Sequence, residues 1–233
     1  MAAIVSGGTK GIGRAICDIF LEKGMDLSLC SRNLDDLKAF HSECSHKYPS
    51  QKIHISKVDM SVKEDVYRYA SEIKSEFDEI GVLVNNAGTF IPGIIIKEED
   101  GLLEKLMNTN LYSAYYLTRA LIDRMIDRKT GHIFNICSVA SLIAYPSGGS
   151  YGISKFALLG FSKSIREELK EYGIKVTSII PGATWTDSWA GAGLPVERFM
   201  DAHDVAKMVW SAYDLGNSVV VEDIILRPQL GDL

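Results

Sequence analysis

Tyr151 and Lys155 stand four residues apart in Tyr151-Gly-Ile-Ser-Lys155, a spacing that puts both side chains on one face of a helix. The chemistry such a pair can do is proton transfer. A phenol with an unperturbed pKa of about 10 is a poor acid–base group at neutral pH. A neighbouring ammonium favours the phenolate and brings that value closer to the working range. Spacing alone does not decide, because Tyr48-Pro-Ser-Gln-Lys52 repeats it; there Pro49 denies the tyrosine a helical conformation. Ser138 ends a strand pattern at Ile133–Cys137, thirteen positions before Tyr151, and a loop through Pro146 and Gly148-Gly149 joins the two. A strand end and the next helix start both fall on the carboxyl edge of a parallel sheet, so the Ser138 hydroxyl can bond the substrate oxygen that the phenol protonates.

A second group of residues suits a phosphate. Ser6-Gly7-Gly8-Thr9-Lys10-Gly11-Ile12-Gly13 follows an apolar strand pattern and opens a helix. Glycines let backbone N–H groups approach a pyrophosphate, and a helix N-terminus favours its charge. The spacing Gly7-x-x-x-Gly11-x-Gly13 differs from the G-x-G-x-x-G dinucleotide fingerprint, and a purely structural turn is the competing reading. At the end of the second strand an NAD site wants an acid for the ribose hydroxyls; here stand Ser31-Arg32-Asn33, with no acid until Asp35. Arg32 can bond a 2′-phosphate through its planar fork, and Lys10 can add a second positive charge. Unless both are solvated surface cations, the cofactor is NADPH rather than NADH.

These residues need a frame. Short β-branched runs, Ala3–Ser6, Leu27–Ser31, Ile53–Lys57, Val82–Asn85, His132–Ile136, Val176–Ile180 and Asp223–Leu226, alternate with amphipathic stretches. The helical patterns are Ile12–Glu22, Leu34–Lys47, Lys63–Phe77, Leu106–Asp127, Ser154–Glu171 and Asp204–Tyr213. That alternation predicts an α/β, doubly wound Rossmann fold of about seven parallel strands with helices on both faces. No linker divides the 233 residues, so one domain is expected. Ala183–Pro195 has no clear periodicity, and is read as an irregular connection or a substrate loop over about 183–200. Asn110 lies within a helix pattern, where a short amide is a poor helix former.

Composition narrows the class. A net charge of −5 argues against nucleic acid as partner, and no run of roughly 18 uncharged apolar residues suggests a membrane span. Met1 leads directly into Ala-Ala-Ile-Val-Ser with no basic leader, which favours the cytoplasm. Cys17, Cys30, Cys44 and Cys137 share no C-x-x-C spacing, and the five histidines are scattered, so no metal site is expected. Paired disulfides are not dismissed on an even count, but Cys17 and Cys30 sit in apolar stretches where a free thiol behaves as a small hydrophobe.

Ser6–Gly13, Asn85-Asn86-Ala87-Gly88, Asn110, Ser138, Tyr151-x-x-x-Lys155 and Pro181-Gly182 resemble, in order and spacing, the motif series of the short-chain dehydrogenase/reductases. Ser6 departs from the family's usual Thr but keeps a hydroxyl. The resemblance implies an NADP(H)-dependent reduction of a carbonyl to an alcohol, with Asn110, Ser138, Tyr151 and Lys155 as catalytic tetrad. Tyr151 would protonate the carbonyl oxygen and Ser138 polarise it. Lys155 would bond the nicotinamide ribose and lower the Tyr151 pKa, and Asn110 would hold a relay water. Cofactor contacts would come from Gly7, Thr9, Lys10, Gly11, Ile12, Gly13, Ser31, Arg32 and Asn33. Asp59 and Met60 would meet the adenine; Asn86, Ala87, Gly88, Pro181, Gly182, Thr184 and Thr186 would line the rest of the cleft.

Glu222–Pro228 with Trp185 and Trp189 looks like bacterial sepiapterin-reductase-type members. The tryptophans would stack on a pterin or pack the loop onto the domain; Thr89, Phe90, Ala140 and Tyr145 are the other pocket candidates. A 3-oxoacyl-carrier-protein reductase is the alternative, needing a basic surface that the mixed charges of Lys163, Arg166, Glu167 and Glu168 leave open. A non-catalytic NADPH sensor is the reading outside enzymology. By resemblance, helices carrying Leu111, Ala114, Tyr115, Leu158 and Phe161 would pair between subunits into a homodimer or homotetramer, or else face the sheet alone.

Overall fold

The computed structural model describes residues 1–186 and 193–233. Seven strands form one sheet: β1 (Ala2–Ser6), β2 (Asp26–Ser31), β3 (Ile53–Lys57), β4 (Ile80–Asn85), β5 (Gly131–Ile136), β6 (Ile174–Pro181) and β7 (Asp223–Leu226). Their order is β3-β2-β1-β4-β5-β6-β7, and every pairing is parallel. Strands buried on both faces need apolar residues at consecutive positions: Ala3 and Val5 enter one core, Ala2 and Ile4 the other. The first core packs under α1 (Gly11–Glu22), α2 (Leu34–Lys47) and α7 (Ala202–Tyr213). The second packs under α3 (Lys63–Glu76), α5 (Ser113–Arg128) and the C-terminal part of α6 (Gly149–Leu169). Helices on both faces of a parallel sheet make this the doubly wound fold expected.

The chain reverses its winding between β1 and β4, and a crevice opens where the loops after two such strands part. Ser6 joins those strand ends. Its hydroxyl accepts from Asn86 N and Ala87 N, both at 3.0 Å, while Asn86 Nδ2 donates to Ser6 O and Gly7 O, both at 2.9 Å. The hydroxyl kept at this departure from the family's Thr has a defined job.

Two helices differ from the sequence reading by more than two residues at their starts. The stretch assigned to Leu106–Asp127 begins earlier, as α4 (Leu102–Met107) after Gly101 at φ +89°. It then passes through one widened π-type turn, Asn108–Tyr112, before α5. The helix expected from Ser154 starts at Gly149. Tyr48 closes α2 and Lys52 lies outside it, bound to Glu76 at 2.8 Å, so the repeated Tyr-x-x-x-Lys spacing spans no helix. All four cysteines are buried and free.

Candidate active site

A cleft of about 710 Å³ runs along the carboxyl edge of the sheet. Of the expected catalytic residues, Ser138, Tyr151 and Lys155 line it; of the expected cofactor residues, all but Gly13 do. Gly13 acts from behind. A Cβ there would come within 2.2 Å of Gly7 O and 2.4 Å of Asn86 Nδ2, so its hydrogen lets α1 press against the glycine loop. The N-cap of α1, Lys10, supplies no side-chain cap, which leaves the first-turn N–H groups directed at the cleft.

At the far end of the glycine loop the charges differ from the expectation. Arg32 is exposed on the cleft wall. Lys10, however, lies 3.3 Å from Asp36, which also lines the cleft. The Lys10 charge is therefore partly offset by an acid one position beyond the nearest the sequence suggested. Asn33 lines the cleft but directs its side-chain oxygen to Asp35 N (2.9 Å) and Asp36 N (3.3 Å), capping α2. Burial works to raise the Asp59 carboxyl, yet bonds from Ser61 and the charge of Arg32 hold it below its ordinary value.

At the other end, Tyr151 projects from the first turns of α6 and Phe90 stands edge-on to its ring, 4.8 Å between centroids. Burial pushes the phenol up to about 12, against a hydrogen bond with the Ser138 side chain that lowers it. Lys155 is buried, and desolvation lowers its pKa. Its Nζ donates to Ile136 O at 2.9 Å and lies 5.9 Å from the Tyr151 ring centroid. The ammonium is anchored to the end of β5, and the Ser138 hydrogen bond opposes the effect of burial at Tyr151.

Asn110 is buried at the π-type turn and does not line the cleft. Its Oδ1 accepts from Thr89 N at 2.7 Å, while Nδ2 donates to Thr89 O at 3.1 Å and Ser154 Oγ at 2.9 Å. Both side-chain amide hydrogens are thus committed to protein.

Thr89, Phe90 and Tyr145 line the cleft as expected; Ala140 is buried away from it. Trp185 does not line it but packs on Phe199, 5.2 Å between ring centroids. Trp189 lies outside the described residues. The described part of the 183–200 loop returns over α1: Thr184 bridges Met200, and a Cβ on Gly11 would meet Thr186 Cγ2 at 2.9 Å.

Among the lining residues that sequence reasoning missed are Val58, Thr109, Asp36, Ile143, Asp232 and Leu233. For the last two a signal existed: β7 pairs beside β6, so residues after it emerge at the same edge as Pro181-Gly182. Among the described residues no group of three His, Cys, Asp or Glu could hold a metal ion, and no helix is long and apolar enough to cross a membrane.

A nucleotide-sized crevice at the switch point of a parallel sheet, with a tyrosine, a serine and a lysine at one end, defines the class. The chain belongs to the short-chain dehydrogenases, whose family model matches residues 1–194. It is similar to a sepiapterin reductase of Chlorobaculum tepidum, 34% identical over 240 residues that cover 99% of this chain and 97% of that protein. It is also similar to a 3-oxoacyl-(acyl-carrier-protein) reductase of Haemophilus influenzae, 31% identical over 217 residues, 89% of this chain and 88% of that one. A metagenomic short-chain oxidoreductase solved in complex with NADP superposes with a TM-score of 0.85 at 26% identity, covering 98% of this chain and 97% of that chain.

Proposed function

We propose that the chain is one NADPH-binding domain that reduces a small neutral carbonyl compound to its alcohol, with Tyr151 as proton donor. One observation carries this: a phenol hydrogen-bonded to the Ser138 side chain inside the cleft. The residues fit a dinucleotide. Gly7 at φ +68° and Gly11 at φ +55° shape a turn where side chains would fill the approach, and no carboxylate replaces Ser31 or Arg32 at the 2′ position. Gly7, Thr9, Gly11, Ile12 and Asn86–Gly88 would hold the phosphates and nicotinamide half. Lys10, Ser31, Arg32, Asn33, Asp59 and Met60 would hold the adenosine end; Pro181, Gly182, Thr184 and Thr186 would close the nicotinamide side. When bound, NADPH supplies the hydride.

The protein's own residues do the rest. Ser138 orients the carbonyl oxygen, Tyr151 Oη delivers its proton there, and Lys155, anchored on Ile136 O, would bond the nicotinamide ribose. Asn110 fixes Thr89 against the cleft through two backbone hydrogen bonds. Near Tyr151 the described lining includes Phe90, Ile143 and Tyr145, and the acid Asp232 is paired with Arg227, which suits an uncharged diketone or pterin. Similarity to the sepiapterin reductase supports a pterin, although Trp185 is turned to Phe199. The carrier-protein alternative wants unneutralised cations beside the pocket; Lys163 and Arg166 do not line the cleft, and Lys163 meets Asp223 at 3.0 Å while Arg166 meets Glu167 at 2.8 Å and Glu222 at 2.5 Å.

The test is NADPH consumption with a panel of diketones, quinones, pterins and acetoacetyl thioesters, repeated with Tyr151→Phe. The variant is expected to keep NADPH affinity and lose at least about 100-fold in turnover. Tight NADPH binding with no substrate reduced by the unmodified protein would favour a sensor instead.

A further inference from the structure

Helix α6, which carries Tyr151 and Lys155, is capped from a distant part of the chain. The residue before it, Gly148, supplies no side-chain cap. Glu98, 52 residues upstream of Ser150, supplies one instead: Oε1 accepts from Ser150 N at 3.0 Å and Oε2 accepts from Ser150 Oγ at 2.5 Å. The seat is built closely around it. A Cβ on Gly149 would lie 2.0 Å from Glu98 Oε1, and one on Gly93 would lie 2.4 Å from the same oxygen. Gly93 N also donates to Ser147 O at 2.9 Å, so two links join the 89–98 segment to the start of α6.

That segment is the wall of the reacting end. It begins with Thr89, bonded to Asn110, and Phe90, edge-on to Tyr151, and it reaches Ser150, the residue next to Tyr151. A carboxylate at a helix N-terminus satisfies unpaired N–H groups and opposes the helix dipole. Here it also fixes where the first turn sits relative to Ser138, on a different loop.

We infer that Glu98 is a positioning residue for the reaction, a cap lent by the substrate-side loop that holds the Tyr151 hydroxyl in line with Ser138. It rests on the reading of Tyr151 as proton donor. Small displacements of a reacting group cost large factors in rate, so Glu98→Ala is expected to lower kcat by about 10- to 100-fold. NADPH affinity should stay within about twofold, because Glu98 bonds to the helix start and to no cofactor-cleft residue away from it. Glu98→Gln keeps an oxygen for Ser150 N–H and should recover at least half of the loss on a logarithmic scale. A cap that serves stability alone would shift the melting temperature and leave kcat in place.

The experiment measures kcat, KM and NADPH affinity for both variants on whichever panel carbonyl the unmodified enzyme reduces, with Tyr151→Phe alongside. Hydrogen exchange of the peptide covering 146–153 is followed in the same proteins. Loss of protection confined to that peptide in Glu98→Ala, together with the kcat loss and its partial rescue, is the expected result. An alanine variant with kcat within twofold, a glutamine variant that recovers nothing, or unchanged protection at 146–153 would overturn the inference. Turnover surviving in Tyr151→Phe, or no carbonyl reduced at all, would overturn the reading of the site instead, and the exchange measurement then decides whether Glu98 holds the helix start.

Discussion

At the phenol of Tyr151 two opposed effects meet, and their balance makes a prediction about pH. Burial raises the group to about 12 while the Ser138 bond lowers it, so the proton is present throughout the neutral range. Reduction by the unmodified enzyme should therefore show no loss from this group between about pH 6 and 9, falling only as pH approaches 12. The sign for stability is the same: a folded value above the unfolded one contributes fully below about pH 10 and is lost as pH rises through the folded value. A pH–rate profile with a descending limb near neutrality that Tyr151→Phe removes would contradict this. The other residue-scale prediction concerns Asp36. Its ion pair with Lys10 is partly exposed, and such pairs are worth under about 1 kcal/mol. Asp36→Asn should remove one opposing charge from beside Lys10 and lower the KM for NADPH about two- to fivefold, with no gain for NADH. Equal gains for the two cofactors would show that the lysine does not serve a 2′-phosphate.

Among the elements, β5 and β6 carry a feature that acid should expose. Thr177 Oγ1 donates to Val221 O at 2.6 Å and so accepts from His132 Nε2 at 2.7 Å, leaving the buried His132 Nδ1 without a hydrogen-bond partner among the described residues. Burial first, and the charge of Lys175 after it, lower this histidine to about 3. With the folded value below the unfolded one, stability is fully present above about pH 6.5 and falls as pH drops from there toward 3. Denaturant unfolding at pH 5 should show a loss of about 2 kcal/mol relative to pH 7 that His132→Asn lacks; an identical slope in the variant would place the acid sensitivity elsewhere. The central strands were legible because double-sided burial writes them as nearly unbroken apolar runs; the less buried edge strands Ile53–Lys57 and Asp223–Leu226 coincide with the reading, and the other five extend it by one to three residues each. Helix starts were less so. Gly148-Gly149 reads locally as a loop, and only the Glu98 carboxylate, far away in sequence, explains why Gly149 at φ +42° opens α6. The widened turn at Asn108–Tyr112 was not read from the sequence, where its one mark is Asn110, a poor helix former within the pattern. Asn110, Ser138, Tyr151 and Lys155 stood out as residue types, whereas the targets of Lys155 and Asn110, Ile136 O and the Thr89 backbone, depend on how strand ends meet.

On the scale of the whole molecule, the residues expected to pair subunits divide. Ala114 and Leu158 are buried within the chain's own core, while Tyr115 is exposed alongside Tyr112 on one helix and Ile153 and Phe156 on another. We propose that this outer apolar face carries a homodimer or homotetramer; sedimentation at micromolar concentration should give a mass at least twice 25.7 kDa, and a monomer would remove the proposal. The four free thiols have a different consequence. Cys17, Cys30, Cys44 and Cys137 are each at most 3% exposed, and burial raises Cys30 to about 12 and Cys44 and Cys137 to about 11. Thiolates are the reactive form, so iodoacetamide should label the native chain slowly even at Cys137, one residue from Ser138, and label all four sites together once the sheet opens. The rate of alkylation then becomes an internal clock for global unfolding, readable by mass alone, and rapid single-site labelling under native conditions would mean that one face of the sheet opens by itself.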